Sequence, residues 1–108
     1  MDIQLKRGLL EACVLTAIHK GDSYGYQIIK DISPYISISE STLYPILKRL
    51  ESNSCLTVYS VEHNSRLRKY YKITDTGKQK IYDFMDEWED VTRVYNYIRE
   101  EVGDLDNE

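Results

Sequence analysis

The apolar positions of this chain change period twice. Up to about Ser52 they recur every three or four residues, from Leu56 to Ile73 they alternate with polar ones, and beyond Thr74 helical spacing returns. In the first stretch, Leu5 to about His19 reads as a helix ended by Gly21. Its apolar residues (Leu5, Leu9, Leu10, Cys13, Val14, Ala17, Ile18) cover more than one face, which implies burial against two neighbours. A second helix, "YGYQIIKDI", carries Tyr24, Ile28, Ile29 and Ile32 on one stripe, with Ser23 placed to cap it and Pro34 to stop it. After the connection "YISISE", a third helix runs to about Ser52. Leu43, Ile46, Leu47 and Leu50 form its apolar face, Ser39 or Ser41 can cap it, and Asn53 can close it.

The alternating stretch holds two strands, "LTVYSVE" and "RKYYKI", rich in β-branched and aromatic residues and separated by the polar tip "HNSRL". Thr74 then caps a last helix. There Phe84, Trp88, Val91, Tyr95, Ile98, Val102 and Leu105 repeat at intervals of four and three, the seam of a coiled coil. A seam of this length exceeds what so small a domain can cover by itself, so it is expected to face a second copy. The fold class expected is mainly α with a small β-hairpin. Residues 1-73 form a winged helix-turn-helix, and residues 74-108 form a dimerisation helix with an acidic tail, together one compact unit.

Pro45 stands inside the third helix, where it cannot donate a backbone hydrogen bond. Counted from a cap at Ser41 it is the fourth helical residue, so it costs about one first-turn bond. The helix would then present its first turn end-on.

Charge divides unevenly along the chain. Residues 1–47 hold four basic and five acidic groups, residues 48–80 hold eight and three, and residues 81–108 hold two and ten, within a total of -4. The positive third is the part that contains the end of the third helix and the hairpin, and a local basic face is what phosphate binding requires. Ser39, Ser41, Thr42 and Tyr44 surround the helix N-terminus, where amides and dipole favour a phosphate, and Lys48 and Arg49 follow one turn later. His63, Asn64, Arg66, Arg68 and Lys69 form a basic wing suited to a minor groove or backbone. Strand alternation separates Arg68, Tyr70 and Lys72 from Lys69, Tyr71 and Ile73, so these cations cannot all share one surface.

Cys13 and Cys55 lie in apolar contexts and read as buried thiols, and neither their spacing nor the histidines suggest a metal site or cofactor. There is no secretory pattern, and the longest apolar run, Ala12 to Ile18, is too short to span a bilayer, so a cytoplasmic protein without a membrane partner is expected. No paired histidine and acid and no glycine-rich phosphate loop support an enzyme.

The blocks "GDSYGYQIIKDI", "STLYPILKRLE" and "RKYYKITDTGK", in this order and over roughly residues 5 to 80, resemble those of the PadR-type transcriptional regulators of the small subfamily, which carry one C-terminal helix. Two positions depart from that pattern: Ser54 stands where glycine is usual, and the wing tip lacks glycines. The resemblance implies that the third helix enters the major groove of double-stranded DNA at a pseudo-palindromic operator, as a repressor. By similarity to the multidrug-responsive members, Trp88 would meet its copy across the dimer axis and hold a planar hydrophobic or cationic ligand. Met85, Val91, Leu9 and Cys13 would then lie nearby. Phe84, Trp88, Val91, Tyr95, Ile98 and Val102 would form the homodimer interface. The competing expectation is a winged-helix protein-protein interaction module without specific DNA binding.

Overall fold

The computed structural model describes residues 1–103, in the order α1 (Ile3–His19), α2 (Gly25–Ile32), α3 (Glu40–Ser52), β1 (Leu56–His63), β2 (Arg66–Ile73) and α4 (Asp75–Val102). Leu105 and the rest of the acidic tail lie outside the described residues. The core is built as the periodicity requires: Leu10, Val14, Leu15 and Ile18 of α1 meet Ile28 and Ile32 of α2 and the whole apolar face of α3, with Leu56 and Tyr71 closing it from the hairpin. None of the described helices is long and apolar enough to cross a membrane.

Local details depart from the expectations at four points. The helix α1 starts at Ile3, because the Asp2 carboxylate accepts a hydrogen bond from the Leu5 amide at 3.1 Å. Ser23 does not cap α2, since it forms a one-residue antiparallel bridge with Tyr71 (N to O 3.1 and 2.7 Å) that makes it a third strand position beside the hairpin. The helix α3 begins at Glu40, so Pro45 is its sixth residue and leaves the exposed Ser41 carbonyl without its helical donor, in reach of solvent. At the other end of α3 it is Ser54, not Asn53, that turns left-handed (φ 62°). Cys55 N then bonds Leu50 O at 2.8 Å and Ser54 N bonds Glu51 O at 3.0 Å, the paired bonds of a Schellman ending.

The hairpin is longer and its turn tighter than the polar tip suggested. His63 pairs with Arg66, and Asn64 and Ser65 both take positive φ (51° and 65°), a two-residue turn whose twist matches the strands. Thr74 secures the junction to α4. Its hydroxyl donates to Ser54 O at 2.6 Å and accepts from the Gly77 amide at 3.1 Å.

The helix α4 packs on α1 and β2 and then projects away from the rest of the molecule. The radius of gyration, 17.1 Å, exceeds the roughly 13 Å of a compact chain this long, and the long axis reaches 63 Å. Phe84 and Trp88 are half-buried with ring centroids 5.8 Å apart, whereas Val91, Tyr95, Ile98 and Val102 are 44 to 57 % exposed.

Candidate nucleic-acid interface

One open groove lies between the start of α2, Tyr44 of α3 and the wing, and the hydroxyls at the start of α3 fall outside its lining. Ser39 extends the backbone into α3 but its hydroxyl does not cap the helix. It lies 3.0 Å from Ser41 Oγ and 3.2 Å from Thr42 Oγ1, a knot of exposed hydroxyls at the positive end of the helix dipole. The groove itself, about 810 Å³, is lined by Tyr44, His63, Asn64, Arg66, Arg68 and Lys69. Lys48 borders an adjoining depression together with Tyr44 and Lys69, so the third helix and the wing present cations toward a common space.

Five lining residues were not identified from the sequence as part of a site. Tyr24, Gly25, Tyr26, Leu67 and Tyr71 also face the groove. Gly25 is there because Tyr44 lies on it: a Cβ at this position would stand 2.6 Å from the Tyr44 hydroxyl and 3.2 Å from its ring. The obstacle is the end of a side chain, not backbone. Gly25→Ala is therefore expected to leave the fold intact, with thermal unfolding within about 5 °C of wild type, while turning Tyr44 out of place and weakening the DNA binding expected of this groove about tenfold. Melting and a binding titration on the same sample check this.

Arg68 and Lys69 leave opposite faces of β2, as the alternation requires, yet both line the groove with Arg66, and Lys72 is the hairpin cation outside that lining. Lys69 shares the face of the buried Tyr71, toward α3. Arg68 shares the face of Tyr70 and places its guanidinium 4.1 Å above the centre of the Tyr24 ring, a cation–π contact that fixes the side chain at the groove wall. Tyr70 is a packing residue, stacked on its cross-strand partner Tyr59 at 5.6 Å and edge-on to Tyr24 at 5.5 Å. The Tyr59 hydroxyl donates to Asp22 at 2.7 Å, and this bond pushes its pKa up.

Arg49 departs from the expectation of a groove contact. One residue is about 100° of helical rotation, and this turns Arg49 away from Lys48 and toward α1. There its Nε and Nη2 both lie 2.9 Å from Glu11 Oε1. Lys80 of α4 approaches Glu11 Oε2 at 3.2 Å, and Arg7 stands 3.9 Å from Oε1. Burial on its own would raise the Glu11 pKa. The hydrogen bonds and charges of Arg49 and Lys80 outweigh it, and the net direction is down. Because the folded value is depressed, the stability this carboxylate contributes is present at neutral pH and is lost as pH falls through the lowered value.

Of the residues expected around a ligand, Leu9, Cys13 and Met85 line an apolar groove of about 400 Å³ between α1, α2 and α4, together with Ile32, Tyr35 and Phe84. Trp88 borders the next depression along α4, about 450 Å³, which shares Phe84 and Met85 with the first. Val91 lines neither. Cys55 is buried in the core as expected, whereas Cys13 is only half-buried at the groove, its pKa raised by that burial. Among the described residues no cluster of histidine, cysteine or acidic side chains could hold a metal ion.

Residues 14–83 match the model of the transcriptional regulator PadR-like family. A transcriptional regulator from Clostridium thermocellum is similar in structure with a TM-score of 0.80 and 34 % identity, over 90 % of this chain and 96 % of that one. A Streptococcus mutans protein matches at 0.78 with 42 % identity, over 87 % and 89 %. The negative transcriptional regulator PadR of Bacillus subtilis is 29 % identical over 82 residues, which are 71 % of this chain and 45 % of that regulator. Its structure in complex with operator DNA matches at 0.67 with 28 % identity, over 71 % and 46 %.

Proposed function

The chain belongs to the PadR-like family of transcriptional regulators, and on that premise we propose that it is a homodimeric repressor which binds a pseudo-palindromic operator through α3 and the wing. Members of this family are regulators and not enzymes. The observation that carries the reading is the groove, onto which Tyr44 of α3 and the wing cations Arg66, Arg68 and Lys69 converge from two elements, while the exposed hydroxyls of Ser39, Ser41 and Thr42 gather at the start of the same helix. In this reading Ser39, Ser41, Thr42 and Tyr44 reach base edges and phosphates. Lys48, His63, Asn64, Arg66, Arg68 and Lys69 fix the register on the backbone. The exposed stretch of α4 from Val91 to Val102 supports pairing with a second copy, which would set two α3 helices at one spacing.

The two classes of contact separate experimentally. Lys69→Ala is expected to weaken binding to operator and random duplex alike and to reduce the salt slope by about one. Thr42→Ala is expected to change the ranking of duplexes by about 1–3 kcal/mol at one position while leaving random-duplex affinity unchanged. Gel-shift titrations on duplexes enriched by the wild-type protein measure both, and the opposite assignment of effects would overturn these roles. Salt-insensitive behaviour without any shift would favour the protein-interaction module instead.

A planar apolar or cationic molecule would enter beside Trp88, with Phe84 and Met85 as its walls, and release the repressor from DNA. A planar cationic dye is expected to quench Trp88 fluorescence saturably; unchanged fluorescence at large dye excess would remove this part of the reading.

A further inference from the structure

Among the described residues, only one carboxylate forms ion pairs that join different elements. Glu11, 14 % exposed at its side chain, divides its two oxygens: Oε1 holds Arg49 of α3, and Oε2 holds Lys80 of α4. An ion cluster of this burial adds little net stability, because desolvation offsets most of the attraction. What it supplies is direction, since its hydrogen bonds tolerate only a narrow geometry. The two helices it joins have different tasks, α3 carrying the hydroxyl knot and α4 the exposed seam.

We propose that Glu11 is a positioning residue for operator recognition: by holding Arg49 and Lys80 on separate oxygens, it sets the separation of the two half-sites that the dimer accepts. This rests on the DNA-binding reading above. The lever arm makes the effect measurable. Tyr95, in the middle of the exposed seam, lies about 22 Å along α4 from Lys80. A tilt of about 5° at the base therefore moves each α3 by about 2 Å relative to the dimer axis, and the pair by about 4 Å. One base-pair step is about 3.4 Å, so a small loosening at Glu11 is worth one base pair of spacing.

Lys80→Met keeps most of the side-chain stem and removes only the α4 arm of the cluster. Glu11→Gln keeps one acceptor and so can serve one cation but not both. Each full-length variant and the wild type are used to enrich duplexes from a random pool, and the separation of half-sites in the enriched sequences is scored. The wild type is expected to enrich one separation. Both variants are expected to enrich the same half-site at two or more separations, with the ratio of operator to random-duplex affinity reduced about three- to tenfold and random-duplex affinity unchanged. If Glu11→Gln fails to fold, Lys80→Met alone decides. A merely structural role would lower the melting temperature and leave the separation single, and that result overturns the proposal. Enrichment of no sequence by the wild type overturns it as well, but by removing the DNA-binding reading beneath it.

Discussion

Gly77→Ala is expected to lower the midpoint of thermal unfolding by roughly 10 °C, a loss of about 2 kcal/mol. In a free helix the same change would stabilise, since alanine is favoured over glycine by about 1 kcal/mol. The sign reverses because the first turn of α4 is pressed against the α3–β1 junction and the end of β2. A Cβ on Gly77 would collide with the Cys55 carbonyl oxygen and stand 2.7 Å from Ile73 Cγ1 and 3.1 Å from the Cys55 carbonyl carbon. Backbone cannot swing aside as the Tyr44 side chain can. The Thr74 bonds to Ser54 and Gly77, and the bond from Thr74 N to Cys55 O at 3.1 Å, would have to lengthen together. Gly8 in α1 is the control, because a Cβ there meets nothing within 4 Å, and Gly8→Ala is expected to hold or raise the midpoint. Scanning calorimetry of the three proteins at one concentration checks the pair of signs.

If the proposed dimer forms through the α4 seam, Ile98→Glu is expected to leave a monomer and to reduce affinity for a two-half-site operator by on the order of 100-fold or more. Ile98 is 53 % exposed within the row of Tyr95 and Val102, on a stretch of α4 that nothing among the described residues covers. A two-fold interface buries the same residue twice, so one substitution removes about 2 kcal/mol of apolar burial from each side and places two carboxylates near the axis. The core lies elsewhere, so each protomer keeps its fold. Sedimentation velocity reads the mass, and circular dichroism shows whether the helices persist. A variant that stays dimeric would show that the seam is not the interface.

The elements were legible in the sequence because their causes are local. Leu43, Ile46, Leu47 and Leu50 are all buried, as their spacing required, and Thr74 caps α4 through its own hydroxyl. The change from helical to alternating period marks β1 and β2 for the same reason. What failed depended on partners distant along the chain. Arg49 looks like a companion of Lys48 until Glu11, 38 residues away, claims it. Ser23 has the side chain of a cap, yet Tyr71 pairs with its backbone and fixes it in a bridge. Gly25 carried a signal in "YGY" that only the position of Tyr44 explains. The hairpin turn was misjudged in length because two residues other than glycine, Asn64 and Ser65, adopt positive φ. Asparagine tolerates that region, but serine gives little notice of it.

Specific DNA binding through α3 and the wing is the proposal on which the other roles rest. The most direct measurement is a gel shift of the purified protein on duplex DNA from its own upstream region, against random duplex of equal length, at two salt concentrations. A discrete shift is expected, at least 1,000-fold tighter than on random DNA, on the order of known regulators, and weakening steeply as salt rises. Equal affinity for both duplexes, tested also with fragments enriched from a random pool, would contradict it.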